Sequence, residues 1–177
     1  MATCTSWCIP LDKLTVRQTV LFGILGALTF AAKWVMSALP NIEPVSLMVM
    51  LFAVTFGLKA VYPMYVYVVM EFLFYGINTW SICYLYIWLI LLLMTLALRK
   101  MEGALSWALL SGIYGLAFGA LCAPVDVFIG GLGYAFAKWT SGIPFDIAHC
   151  AGNFVIALIL FSPLRKLMQR LYARLEK

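Results

Sequence analysis

The sequence predicts an all-α integral membrane protein, folded as one compact bundle of six transmembrane helices with both termini in the cytoplasm. Hydrophobic residues make up 65% of the 177 residues, and charged residues only 11%, far below the quarter or so that soluble domains carry. The mean hydropathy is positive. Because a helix needs roughly 20 residues to cross a bilayer, the chain accommodates about five to seven crossings and no separate soluble domain.

The predicted spans follow one another with short connections. Residues 1–17 form a polar cytoplasmic N-terminus and no signal peptide, because the apolar stretch that follows is long enough for a full span. The spans are predicted at Thr19–Leu39, Val45–Phe56, Ala60–Ile77, Ser81–Leu98, Leu105–Cys122 and Ile143–Phe161. Residues 18–162 therefore form the bundle of a single domain, and 163–177 form a basic cytoplasmic C-terminus.

The stretch 123–142, between the fifth and sixth spans, is less regular. It is apolar but contains Pro124, Asp126 and glycines at 130, 131 and 133. Such a composition favours an irregular or partly helical segment packed against protein over a span that faces lipid. A seventh helix is the alternative, but it would place the two termini on opposite sides of the membrane.

The positions of lysine and arginine predict the orientation. With both termini inside, only Lys33 and Lys138 of the 12 basic residues lie in the outer half, which leaves ten inside. This distribution satisfies the positive-inside rule. The net charge of +5 therefore indicates topology and contact with anionic lipid, and it does not require a nucleic-acid partner.

The connection between the first two spans is stiff and carries an acid. Pro40 and Pro44 restrict the backbone on either side of Glu43. Since the orientation places this loop outside, we interpret it as a lid over a binding site.

Polar and aromatic residues concentrate near the same outer side. A charged or amide side chain that faces lipid costs on the order of 2 to 3 kcal/mol, so these residues should face a cavity. Spacings of three and four place Asp146, His149 and Asn153 on one helix face. The candidate substrate-binding residues are Trp34, Asn41, Glu43, Asn78, Trp80, Tyr84, Trp88, Asp126, Trp139, Asp146, His149 and Asn153.

Two structural alternatives compete with this binding hypothesis. Trp80 and Trp139 also suit the aromatic belt at a membrane surface. The acids could instead form salt bridges with Lys33 or Lys138, and Glu71 in the third span could join helices in the same way.

The sequence predicts no catalytic residue, no metal site and no cofactor. Ser141 and His149 lie eight residues apart in one segment, which does not build a protease dyad. His149 is the only histidine, so a metalloprotease pair is excluded, and a metal site with Asp146 and Cys150 is a weak alternative to a buried histidine. There is also no phosphate-binding loop for ATP hydrolysis.

The first span carries Gly23, Ala27 and Ala31 at intervals of four residues. Small residues at this spacing let another helix approach closely. The stripe therefore predicts either docking of a partner protein or packing within the bundle.

Together, these features resemble the S components of energy-coupling factor (ECF) transporters. The resemblance covers nearly the whole chain and is carried by six short spans, the Ala27–Ala31 element, the Leu39–Glu43 loop and the Gly142–His149 entry to the last span. It implies a membrane-embedded subunit of the bacterial cell membrane that captures a vitamin or related micronutrient from outside. Such a subunit has no ATPase activity and works with a transmembrane T component and two cytoplasmic ATPases.

The resemblance further implies that Ala27 and Ala31 dock on the T component and that the subunit topples in the membrane to deliver its substrate. The substrate is left open between a deazapurine precursor of queuosine, which the acids would suit, and cobalamin, which an aromatic cavity would suit. A self-sufficient small secondary transporter is the alternative function, and an intramembrane enzyme is a third class.

Overall fold

A computed structural model describes residues 13–38 and 42–175, and the regular elements within these ranges are all helical. The elements are α1 (Val16–Val35), α2 (Val45–Phe56), a short 3₁₀ helix (Gly57–Ala60), α3 (Val61–Tyr75), α4 (Thr79–Ala97) and α5 (Ala104–Leu175). The all-helical class predicted from the sequence is confirmed.

Four apolar stretches among the described residues are long enough to cross a membrane, which indicates a membrane protein. These stretches are Val16–Val35, Val45–Tyr75, Thr79–Ala97 and Ala104–Leu175. The prediction of six spans stays a prediction, because α2 and α3 together form one of the four stretches and the whole of α5 forms another.

Side-chain caps define where two of the helices begin. The Thr15 side chain accepts a hydrogen bond from the backbone of Gln18, so α1 begins three residues before the predicted Thr19. Asn78 caps α4 in the same way through the backbone amides of Trp80 and Ser81. In both cases the cap satisfies backbone donors that the first helical turn leaves unpaired.

Gly131 divides α5 into two halves. Its φ of 79° and ψ of 179° lie outside the helical region, and a positive φ is readily adopted only by glycine. We call residues 104–130 α5a and residues 132–175 α5b. The two halves fold back on each other, since the Trp107 ring stacks on the Phe161 ring at a centroid distance of 4.6 Å.

The stretch 123–142 is the tip of this helical hairpin, where an irregular or partly helical segment was the expectation. Its first part extends α5a and its last part begins α5b, and Gly131 alone departs from helical geometry. The expectation that protein packs against it is wrong for residues 128–134, which are all exposed. Phe128 is 95% exposed. Exposed apolar side chains need no protein cover in a membrane, because lipid tails are equally apolar.

Contacts along α1 give the direction of the next two helices. Phe22 packs on Phe56 at the end of α2, with ring centroids 5.1 Å apart, whereas Lys33 lies 3.8 Å from Glu43 before α2 begins. α1 and α2 are therefore antiparallel. The Lys33 ammonium also lies 2.9 Å from a carboxylate oxygen of Glu71 near the end of α3, so α1 and α3 run parallel.

The direction continues to alternate through α4 and α5a. The Tyr86 hydroxyl donates to the Leu121 carbonyl at 2.7 Å, and the Tyr114 hydroxyl donates to the Ile87 carbonyl at 2.7 Å. As residue numbers rise along α4, the numbers of the contacting residues in α5a fall, so these two helices are antiparallel. The six helical segments pass up and down in turn.

Aromatic side chains fill much of the core between these helices. The fully buried Trp88 ring lies 6.1 Å from that of Tyr67, 5.7 Å from that of Phe118 and 6.2 Å from that of Tyr114. Large rings of this kind bury much apolar area and restrict how the helices rotate. α3, α4 and α5a are therefore held around one aromatic cluster.

The two ends of the bundle differ in charge. Tyr172 near the end of α5b packs on Phe56, and a space of about 500 Å³ beside it is lined by Lys13, Arg17 and Lys59. We call this side the basic end. Its basic residues in the described ranges are Lys13, Arg17, Lys59, Arg99, Lys100, Arg165, Lys166, Arg170 and Arg174. Lys33 and Lys138 lie at the opposite side, which we call the cavity end.

Candidate functional site

A cavity of about 570 Å³ lies at the cavity end. Its wall is formed by the ends of α1 and α3, the connection before α2, the start of α4 and both halves of α5. The lining residues are Lys33, Met36, Ser37, Ile42, Glu43, Tyr75, Trp80, Tyr84, Phe118, Gly119, Cys122, Asp126, Lys138, Trp139, Ser141, Gly142, Phe145, Asp146 and His149. Its volume falls in the range of small-molecule sites, about 300 to 1,000 Å³.

Lys33 holds one side of the cavity together. Its ammonium donates to Glu71 at 2.9 Å and to the Tyr84 hydroxyl at 3.2 Å, and Glu43 lies 3.8 Å away. The ammonium also lies 4.8 Å from the centre of the Tyr84 ring, a cation–π distance. One lysine therefore joins α1, α3, α4 and the connection before α2. The structure supports the predicted role of Glu71 in joining helices.

Glu43 lies farther from the Lys33 ammonium than Glu71 does, at 3.8 Å against 2.9 Å. Burial raises the pKa of its carboxyl, the charge of Lys33 opposes this change, and the charge of Glu71 adds to it. The Glu43 carboxyl therefore takes up a proton at a higher pH than an ordinary glutamate does.

The second lysine of the cavity end pairs with Asp126. Lys138 of α5b donates to a carboxylate oxygen of Asp126 of α5a, across the hairpin. The same ammonium lies 5.3 Å from the centre of the Trp80 ring. This pair neutralises both charges and joins the two halves of α5 just below their exposed tip.

Asp146 and His149 have no such charged partner in the part of the chain that the structure describes. One carboxylate oxygen of Asp146 accepts a hydrogen bond from the Gly119 amide at 3.1 Å, and the other has no partner among the described residues. Nε2 of His149 likewise has none there. Both side chains are buried, at 7% and 3% exposure. An unpaired polar atom in such a position is costly unless a ligand or water satisfies it.

Gly119 makes the position of Asp146 possible. A Cβ atom on residue 119 would lie 2.5 Å from Oδ2 of Asp146, so a larger residue would push the carboxylate away. Gly115, one turn earlier, has the same role for the backbone of His149, whose carbonyl oxygen would lie 2.9 Å from a Cβ. The two glycines let α5a and α5b approach closely beside the cavity.

The structure brings together seven of the twelve predicted substrate-binding residues. They line the cavity and are Glu43, Trp80, Tyr84, Asp126, Trp139, Asp146 and His149. Asn41 lies outside the described residues, as do Leu39 and Pro40 of the predicted lid. The described part of that connection, at Ile42 and Glu43, does line the cavity.

The other four predicted residues lie away from the cavity wall. Trp34 is 57% exposed on the outside of α1, and Asn78 is occupied as the cap of α4. Trp88 is buried in the aromatic cluster beneath the cavity. Asn153 lies one turn below His149, where its amide donates to the Ser46 hydroxyl at 3.0 Å and contacts the Ser111 carbonyl. For Asn153, helix periodicity gave the right face but not the right depth.

Phe118 and Gly119 belong to the site but were not predicted from the sequence. The Phe118 ring lies 4.8 Å from the His149 ring, and Gly119 is the hydrogen-bond donor to Asp146. A signal was present, because Gly115 and Gly119 have the four-residue spacing that marks close helix contacts.

The small-residue stripe of α1 does not pack inside the described bundle at Gly23. A Cβ there would meet nothing within 4 Å, whereas one on Gly26 would lie 2.5 Å from Val66 of α3. The close contact of α1 is therefore made by Gly26. Ala31 is exposed and Ala27 is partly so. Docking through Gly23, Ala27 and Ala31 stays a prediction, with the internal alternative weakened.

Neither a protease dyad nor a metal cluster is assembled in the described ranges. Ser141 and His149 both line the cavity, but eight residues along one helix correspond to about 12 Å. No group of three histidine, cysteine or acidic residues that could hold a metal occurs in the described ranges. Cys83, Cys122 and Cys150 are free thiols.

The fold and the site together define an all-helical membrane protein with a polar, aromatic-lined cavity at the end opposite most of its basic residues. Comparisons with protein-family models, curated proteins and solved structures found no match to this chain.

Proposed function

We propose that this protein is the substrate-binding S component of an ECF-type importer in a bacterial cell membrane. In this role it captures a vitamin or related micronutrient from outside and has no ATPase activity of its own. The observation that carries the proposal is the 570 Å³ cavity, lined by Asp146, His149 and aromatic rings, at the end opposite most of the basic residues. By the positive-inside rule, that end faces outward.

Six crossings with both termini inside are part of the proposal. The alternating direction of α1, α2, α3, α4, α5a and α5b supports this topology. It places Lys13 before α1 and Arg174 at the end of α5b on the same side. The short α2, at 12 residues, would cross only part of the bilayer on its own.

Partners are proposed because the sequence contains no phosphate-binding loop of the kind that ATPases use. In this proposal a transmembrane T component and two ATPases supply the energy, and the outer stripe of α1 is the docking surface. The openness of Gly23 and the exposure of Ala31 support this use of α1. A smooth stripe at four-residue spacing allows a second helix to approach closely.

Purification of the tagged protein from its native membranes tests this function. We expect a complex that contains one further membrane subunit and two ATPases and that takes up substrate only with ATP. Ala27→Leu should remove these subunits and leave the thermal unfolding midpoint of the isolated chain unchanged. The matched control is Ala120→Leu, which makes the same change at an exposed position of α5a.

Uptake into vesicles that contain only this chain, without ATP, would contradict the proposal and support the self-sufficient carrier instead. Retention of the subunits by Ala27→Leu would show that α1 is not the docking surface, and their loss in both alanine variants would show that the effect is not specific to α1.

A further inference from the structure

The charges at the cavity end do not balance. The described residues there include four acids and two bases, which leaves two more acids than bases. The acids are Glu43, Glu71, Asp126 and Asp146, and the bases are Lys33 and Lys138. Lys138 pairs with Asp126, and Lys33 is shared by Glu43 and Glu71. Asp146 is left without a cation among the described residues.

Asp146 also lies beside another cavity-lining residue with an unpaired polar atom in the described chain, His149. It precedes His149 by three residues, so both side chains occupy the same face of α5b and both line the cavity. Each residue is more than nine-tenths buried and carries one polar atom without a partner in the described chain. Two adjacent unpaired groups that are held rigidly in a cavity wall are typical of a ligand contact.

We propose that the cavity binds a planar aromatic ligand through a positively charged or N–H-rich edge, which donates to the Asp146 carboxylate and meets Nε2 of His149. This inference rests on the proposed function only in taking the cavity as the substrate site. It assigns the ligand class by chemistry: an amidine, an aminopyrimidine or a guanine-like base, without a phosphate or free carboxylate.

Aromatic rings around these two groups account for the planar shape. Phe118 contacts His149 edge to face at 4.8 Å and stacks with Trp80 at 6.5 Å. Tyr84 and Trp139 line the cavity as well. Flat ligands bury the most area between such faces, and a cationic ring gains an additional attraction to them.

An anionic ligand would find no free cation in the described wall. It would have to draw Lys33 from Glu71 or Lys138 from Asp126, and either move leaves a buried carboxylate unpaired. Breaking a buried pair in this way is strongly unfavourable. The arrangement therefore selects against phosphates and carboxylates.

The volume of the cavity favours one of the two ligands considered from the sequence. A space of about 570 Å³ accommodates a bicyclic base with small substituents. The corrin ring of cobalamin, with its amide arms and nucleotide, exceeds it. A deazapurine belongs to the ligand class that Asp146 and His149 select.

Two probes of equal shape and opposite charge test the inference. Benzamidine presents two N–H donors on a cation, and benzoate presents a carboxylate on the same ring. With purified protein in detergent, we expect benzamidine and 2-aminopyrimidine to raise the thermal unfolding midpoint and benzoate to leave it unchanged. This comparison uses the unaltered protein and needs no variant.

Asp146→Asn then locates the contact. Loss of a charge-assisted hydrogen bond should weaken benzamidine binding by roughly tenfold or more, measured by calorimetry. Glu102→Gln is the matched control, because it removes one negative charge at an exposed position near the basic end. We expect it to bind benzamidine as the unaltered protein does.

Preference for benzoate, or equal benzamidine binding by Asp146→Asn and the unaltered protein, would overturn the inference. These outcomes are independent of the proposed function, which depends on the ATP requirement of uptake. A complex with ATPases whose S component binds benzoate would sustain the function and refute the ligand class. Benzamidine binding through Asp146 in an ATP-independent carrier would do the reverse.

Discussion

The two walls of the cavity handle buried charge differently. On the α1 side, Lys33 forms contacts with Glu43, Glu71 and Tyr84, so its charge is compensated within the protein. On the α5 side, Asp146 receives one backbone hydrogen bond and His149 keeps an unpaired nitrogen. The difference indicates that the α1 wall holds helices together, whereas the α5 wall keeps polar atoms available for a ligand.

Lys33→Met should give the largest effect on stability, because it leaves Glu43 and Glu71 buried without a cation. We expect the free energy of unfolding to fall by about 3 kcal/mol, the lower end for a broken buried pair, since the lysine side chain is 20% exposed. Reversible unfolding in mixed micelles measures this loss.

Two controls accompany this variant. The double variant Lys33→Met with Glu71→Gln should recover part of the stability, because the least exposed acid is then neutral. Lys138→Met should cost less than Lys33→Met, because Lys138 is 29% exposed and pairs with one acid. Equal losses for both lysines would remove the distinction between the Lys33 cluster and an ordinary ion pair.

A smaller effect is expected from the pH dependence of Glu43. Because burial raises its pKa in the folded protein, the folded state binds the proton more tightly, and stability falls as pH rises from about 4.5 through the raised value. Glu43→Gln should match the unaltered protein at the acid end and exceed its unfolding midpoint above that window. If the unfolding midpoint of the unaltered protein instead rose relative to that of Glu43→Gln with increasing pH, the attraction of Lys33 would outweigh the effect of burial on the pKa of Glu43.

The smallest stability effect is expected at Asp146. Asparagine keeps an oxygen that can accept from the Gly119 amide, and it removes a buried charge that has no cation. Asp146→Asn should therefore unfold within about 1 kcal/mol of the unaltered protein, or be more stable. A loss as large as that of Lys33→Met would mean that Asp146 is structural, and the contrast between the two walls would disappear.

Much of the fold could be predicted because composition and periodicity act locally. α2 begins and ends at the predicted residues, and α3 and α4 differ from prediction by one or two residues at each end. The stretch 123–142 was harder to predict, because proline and glycine usually mark loops. Here Gly131 supplies the turn by itself, and the Asp126–Lys138 pair joins the helices on either side.

The sequence predicted the kinds of residue that form the site better than it predicted which positions line the cavity. Hydrophobic surroundings singled out Asp146 and His149 as polar residues that need a cavity, and both line one. Residue spacing predicts the face of a helix but not the depth along its axis. Asn153 lies on the same face as His149 but one turn below it, where its amide donates to the Ser46 hydroxyl and not to the cavity. Residues without polar groups, such as Phe118, gave no signal of their own.

The sequence by itself determined a helical membrane chain with basic residues at one end and polar residues at the other, because lipid imposes these patterns on each segment separately. Only the tertiary structure decided which acids are compensated. Lys33 reaches Glu71 and Lys138 reaches Asp126, whereas no cation in the described chain pairs with Asp146. Charge pairing depends on distances of a few ångströms between residues far apart in the chain, and one-dimensional patterns carry no such distances.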